Sequence, residues 1–145
     1  MSLAEYKHKT RKFFSPRKYE NAAAIIFAVD HVDHHVKGYG GVDADQVFAD
    51  ITIFNTIDDI DNDTPEVINN GVLEKRRYDD GGQHSMIREL ESYQGEEQAF
   101  RLVKVQTKSG NSAVVLRALD DAVYDKVAAW VENRDAATDD DLDNI

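Results

Sequence analysis

The run 46–56, QVFADITIFNT, alternates without a break. Val47, Ala49, Ile51 and Ile53 fall on one face, and Phe48, Asp50, Thr52 and Phe54 on the other. Period two in β-branched residues predicts a strand with one face in a core. The second face is the informative one. Two aromatics, a threonine and an aspartate do not make an ordinary solvated surface. Either a second packed layer covers Phe48 and Phe54, or they form a platform on which a flat group stacks.

A chain of 145 residues with 41% hydrophobic content supports one domain with a real core. It contains no cysteine, which excludes a disulfide framework and a thiolate site. The N-terminus has no apolar signal region, and no apolar run approaches the ~20 residues of a membrane span. The expectation is a soluble, cytoplasmic protein. The net charge of −11 argues against nucleic acid on a bare count. Its distribution argues otherwise. Residues 1–20 carry six Lys/Arg and two Glu, residues 43–66 carry eight acids and no Lys or Arg, and residues 135–145 carry five Asp and no base.

The first zone interleaves bases with aromatics: Tyr6, Lys7, Lys9, Arg11, Lys12, Phe13, Phe14, Arg17, Lys18 and Tyr19. Bases hold phosphates and aromatic rings stack on nucleobases, the combination single-strand binding needs. The competing reading is a solvated arm whose Phe13 and Phe14 tuck into the core. Residues 21–32 (NAAAIIFAVDHV) predict a buried strand with Ile25, Phe27 and Val29 on one face. If it continues, His31, Asp33 and His35 share a face, a trio that could take a divalent metal. No further ligand stands at a supporting spacing, and solvated loop histidines are the simpler reading; no metal or other cofactor is expected.

Residues 36–45 (VKGYGGVDAD) read as a hairpin turn into the central strand, with Tyr39 and Lys37 near its tip. The P-loop spacing is missing. Residues 57–65 (IDDIDNDTP) read as an acidic surface loop. Asp59, Asp61 and Asp63 match the opening of an EF-hand loop, but Thr64 replaces its glycine and Asn70 its closing glutamate. Residues 66–78 predict a short strand ending near Tyr78, and Lys75, Arg76, Arg77 and Tyr78 form a basic footprint with a ring attached. A helix over about 85–93 follows, with Ser85 as N-cap and Met86, Leu90 and Tyr93 inward. Residues 98–107 and 112–119 form the clearest hairpin, with Arg101, Lys104 and Lys108 along it. A helix from Asp120 or Asp121 to about Asn133 carries the stripe Val123, Val127, Trp130 and Val131. The acidic end DAATDDDLDNI predicts a disordered tail.

This order predicts a mainly β chain with helices (α+β). The carrying residues FADITIF (48–54), MIRELESYQGEEQAFRLVKV (86–105), KSGNSAVVLRA (108–118) and DDAVYDKVAAWVENR (120–134) resemble phage-encoded single-stranded DNA-binding proteins of the OB-fold type. The resemblance covers roughly residues 22–134. It implies a five-stranded OB-fold-like barrel with an internal and a C-terminal helix over 21–134, between a basic aromatic arm (1–20) and an acidic tail (135–145). It implies bases stacked on Phe48 or Phe54, Tyr78, and on Phe13, Phe14, Tyr19 or Tyr39. It also implies phosphates held by Arg17, Lys18, Lys75, Arg76, Arg77, Arg101 and Lys104. The tail, through Asp139, Asp140, Asp141, Leu142, Asp143 and Ile145, would recruit replication or recombination proteins and compete with DNA for an empty groove. It ends on Ile145 where such tails usually close on an aromatic. Homo-oligomers are compatible with this reading.

Two other classes stay open. An acidic inhibitor that mimics DNA would suit the net charge, against the basic arm and the Lys75–Arg77 cluster. A phage assembly module would use the arm to tie subunits together. An enzyme is not expected, because no Ser-His-Asp, Cys-His, Walker or zincin spacing occurs.

Overall fold

The computed structural model describes residues 12–108 and 110–143, the last six as backbone. Three long strands form an antiparallel meander: β2 (Ala24–Lys37), β3 (Asp43–Phe54) and β4 (Glu66–Arg76). A hairpin of β5 (Glu97–Gln106) and β6 (Ser112–Arg117) joins the free edge of β2. A two-residue strand, β1 (Lys12–Phe13), pairs parallel to β4 at Gly71 and Val72. The order β1-β4-β3-β2-β5-β6 makes one curled sheet, a half-barrel. The expected count was five. The sixth strand comes from the basic arm, whose short pairing leaves no periodic signal in the sequence.

The expected alternation of β3 holds. Val47, Ala49, Ile51 and Ile53 enter a core with Ile25, Phe27 and Val29 of β2. This inner side is closed by α2 (Ser85–Glu91) through Met86, Ile87 and Leu90. Its N-cap is His84, which accepts the Met86 N–H, and not Ser85. The strands are longer than their sequence signals because bulges absorb the irregular residues. The Asn69-Asn70-Gly71 turn signal sits inside β4, with Asn70 at φ 57 and its N–H given to the Asp50 carboxylate at 2.9 Å. The β2–β3 turn follows expectation, with Gly40 and Gly41 at φ 73 and 76.

A second, smaller core lies on the outer face. Ala24, Ile26 and Phe54 meet Ile60, Leu119 and Val127, with Val123, Trp130 and Val131 packed against them. The acidic loop contributes Ile60 through a short helix, α1 (Ile57–Asp61), which starts in a Thr56/Asp59 capping box. The C-terminal helix, α3 (Asp121–Asp143), runs ten residues past the expected end near Asn133. Lys126 binds Asp61 at 2.7 Å, the Trp130 indole donates to Asp63 at 2.9 Å, and Arg134 makes a bidentate pair with Glu97. The loop expected to be a free acidic surface therefore docks the last helix. Among the described residues no helix is long and apolar enough to cross a membrane.

Candidate nucleic-acid interface

The arm divides residue by residue. The Phe14 N–H bonds the Val72 carbonyl at 2.8 Å, which turns the Phe14 ring inward. It stacks on Tyr19 at 5.2 Å and meets Phe27 edge-on at 5.7 Å. Both rings are buried, so neither leaves a face for a nucleobase, and the expected stacking role is corrected to core packing. Burial, with a hydrogen bond to Glu66 behind it, pushes the Tyr19 phenol up. Phe13 stays 70% exposed, and Lys18 lies over the Tyr19 ring at 5.4 Å. Arg17 reaches across to the Ser112 carbonyl at 3.4 Å, linking the arm to the start of β6.

The central strand's outer face has two halves. Phe54 is fully buried against Trp130, ring centroids 5.1 Å apart. Phe48 stacks on His31 at 4.4 Å and is nearly buried. The pair lines a cleft of about 670 Å³ with Asp30, Asp50, Glu96 and Glu97 and with no Lys or Arg. Neither phenylalanine is an open platform, and four carboxylates around Phe48 repel phosphate. The expected platform is thereby corrected at both positions.

The basic run Lys75, Arg76 and Arg77 at the end of β4 divides by partner. Arg77 donates to both oxygens of Asp45 at 2.7–2.8 Å and to the Gly81 carbonyl. Asp45 is completely buried, and it also takes the His35 N–H and meets His34 at 3.2 Å. Burial alone would raise the Asp45 carboxyl; the Arg77 guanidinium, the His35 N–H and His34 reverse that and hold it below its usual value. His34 continues to Glu91 of α2 at 2.6 Å. Glu91 raises the His34 imidazole against its partial burial, with Asp45 adding to the rise. Arg77 is thus a structural ion pair and not a free phosphate ligand.

Lys75 has a different setting. It lies on the inner side with Leu73, opposite Asp45 in register, whose oxygens other groups occupy. Burial lowers its ammonium pKa, and the nearby Arg17 charge lowers it further. His84 is lowered by burial and then by Lys75. The Tyr78 ring, half exposed, stacks on His84 at 5.7 Å. Among the described residues, neither Arg17 nor Lys75 has a carboxylate within 4 Å. Arg76 is exposed, with Asp79 at 3.9 Å.

On the hairpin, Lys104 shares the inner side with Leu102, while Arg101 shares the outer side with its register partner Arg117. Arg17 and Lys104 thus lie toward the β5–β6 hairpin, Lys75 lies on the inner side of β4, and Arg101 faces away. Tyr39 is 93% exposed at the β2–β3 turn. His31 turns to Asp30 and His35 to Asp43, and among the described residues His31, Asp33 and His35 do not come together as a metal-holding group. Asp139, Asp140, Asp141, Leu142 and Asp143 continue α3 as backbone, and Ile145 lies outside the described residues, as do Tyr6, Lys7, Lys9 and Arg11.

Sequence reasoning missed His34, Asp45, Glu91 and His84. A signal existed for Asp45, which shares the parity of Val47 and so falls on the core face, where a carboxylate requires a cation. No family model, curated protein or solved structure matches this chain.

Proposed function

We propose that this chain binds single-stranded DNA without reading its sequence, protecting it during phage replication, recombination or repair. The observation that carries the reading is that Arg17, tied to the start of β6, and Lys75, on the inner side of β4, meet no carboxylate among the described residues, and neither do Lys18 and Lys104. Exposed rings at Phe13 and Tyr78 supply stacking surface. Lys18, Arg76 and Lys104 extend the charged track. Arg77 supports the track from beneath through Asp45.

The strand order supports the finer fold reading. A meander β2-β3-β4, a helix, and a hairpin returning to β2 suit a five-stranded, partly open Greek-key barrel of the OB type. The acidic end, Asp139 to Asp143 with Leu142 and Ile145, recruits replication or recombination partners and competes with DNA for the empty groove. The charge zoning supports this self-occlusion. A second reading, an acidic DNA mimic, is favoured by the carboxylate-lined cleft at Phe48.

The test is anisotropy of a labelled oligo-dT of about 30 nucleotides, long enough for several sites. It is titrated with the full chain and with a chain ending at residue 134, at low and moderate salt, beside an annealed duplex. Removal of 135–145 keeps Trp130 and the Arg134–Glu97 pair, so α3 stays docked. Tight, salt-sensitive binding of the unpaired strand, tighter without the tail, is expected. No binding by either the full or the shortened chain at low salt sinks the reading and brings the mimic forward. Equal affinity of the two chains removes self-occlusion alone.

A further inference from the structure

The two edges of the sheet are finished differently. On the β4 edge, β1 pairs at Gly71 and Val72, and the Phe14 N–H takes the Val72 carbonyl. The bulge at Asn70 breaks the register of β4, and exposed Glu66 and Arg76 put charge at its ends. Such devices keep an edge strand from adding a further strand. β6 has none of them. Its run 112–116, SAVVL, holds no charge, no proline and no bulge, and among the described residues it pairs with β5 alone.

The hairpin turn fixes which backbone groups of β6 are open. The Thr107 N–H bonds the Asn111 carbonyl at 2.7 Å, and the Gly110 N–H bonds the Thr107 carbonyl at 3.0 Å, with Gly110 at φ 84. Thr107 and Asn111 are therefore a hydrogen-bonded pair. Such pairs alternate along an antiparallel ladder, so Ala113, Val115 and Arg117 turn their N–H and C=O groups to β5. Ser112, Val114 and Leu116 turn theirs to the free edge. Two arginines agree with this parity: Arg17 Nη2 donates to the Ser112 carbonyl at 3.4 Å, and Arg117 Nη1 to the Leu116 carbonyl at 3.1 Å. Each carbonyl keeps a second lone pair. The N–H groups of Ser112, Val114 and Leu116 meet no acceptor among the described residues.

We propose that the free edge of β6 pairs with β6 of a second copy of this chain, antiparallel about a two-fold axis at Val114. The occupant is a β-strand because the edge offers a row of backbone donors and acceptors at strand spacing. That strand is complementary to itself. With Val114 opposite Val114 of the second copy, Ser112 meets Leu116 and Leu116 meets Ser112, and each pair exchanges both N–H···O=C bonds. On the outer side, half-buried Ala113 meets half-buried Val115. Arg117 falls opposite Asn111, so no like charges face each other. An isologous contact of this kind closes at two copies and joins the two curled sheets into one. It stands apart from the single-strand reading, and its test contains no DNA.

The experiment is sedimentation equilibrium of the full chain over a concentration series, at about 0.15 M salt to screen the repulsion between two chains of net charge −11. The expected mass rises with concentration to twice the 16.4 kDa of one chain. Ser112→Pro removes an edge-facing N–H at the first residue of β6 and leaves the β5 ladder intact. It is expected to weaken the dimer by about 5- to 150-fold, since two bonds related by the axis are lost. The chain has no cysteine, so single cysteines read the register. Oxidised Val114→Cys is expected to link to itself, at the ~5.5 Å Cα separation of a hydrogen-bonded pair. Ala113→Cys and Val115→Cys are expected to link when mixed and not alone. This pattern is readable even where Ser112→Pro unfolds the hairpin. A monomer at every concentration, a dimer that Ser112→Pro leaves unchanged, or equal linking at all three positions overturns the pairing.

Discussion

Lys75 and Arg77 lie two residues apart, on the same side of the sheet, and sit in opposite kinds of polar cluster. Arg77 belongs to a closed one: Asp45, His34 and Glu91 balance it, and nearly every donor finds an acceptor. Lys75 belongs to an open one, with Arg17 and His84 as neighbours and no described carboxylate to balance them. Residue type does not separate these clusters, and neither does burial. Charge balance does. A balanced cluster holds β2, β3 and α2 together, whereas the other keeps a net positive charge.

The largest expected effect breaks the closed cluster. Arg77→Met removes the bidentate partner of a carboxylate with no solvent access, leaving an unpaired buried charge. A loss of about 3–5 kcal/mol in unfolding free energy is expected. Urea denaturation measures it directly. A loss below about 1 kcal/mol would mean that Asp45 finds another cation, and Lys75 across the register is the obvious substitute.

Lys75→Met should do the reverse. It removes a half-buried ammonium with a guanidinium beside it, so stability is expected to stay within about 0.5 kcal/mol of wild type or to rise. Thermal unfolding of the variant checks this. A loss comparable to that of Arg77→Met would place Lys75 in the structural framework and erase the contrast.

Most of the framework was legible. Alternation in 46–56 assigned each β3 side chain to its face, and the turn residues before it and the 98–119 hairpin were marked by glycine and by periodicity. Site residues were harder for a physical reason. A sequence shows that a ring or a base is present but not what covers it. Phe14, Tyr19 and Phe54 look like stacking rings until the arm turns at Val72 and α3 folds across the outer face. Both are long-range events without a periodic trace. The acidic loop was misread for the same reason, since its partners Lys126 and Trp130 lie more than sixty residues away. The parity of Asp45 showed that a buried carboxylate needs a cation, but Arg77 and Lys75 share that parity and could not be told apart in KRRY; the register pairs Asp45 with Lys75, yet Arg77 takes its carboxylate.

The smallest effect sharpens the comparison from the closed side. The His34 imidazole is raised chiefly by Glu91, so its protonated form is favoured in the folded chain. The stability this lends is complete below the unfolded value of about 6.5 and is lost as pH rises through the higher folded value. His34→Gln keeps a hydrogen-bonding side chain and cannot titrate. Between about pH 6 and about pH 9 the unfolding free energy from urea denaturation should therefore fall further for wild type than for the variant, by less than about 1 kcal/mol because the side chain is partly exposed. Asp45 does not confound the comparison. Its depressed carboxyl lends stability above about pH 3.9, lost only as pH falls through the lower folded value. Parallel pH profiles for the two proteins would mean that the Glu91–His34 contact contributes no charge balance. The closed cluster would then reduce to Asp45 and Arg77 alone, and α2 would be held on the sheet by Met86, Ile87 and Leu90 without a polar tie.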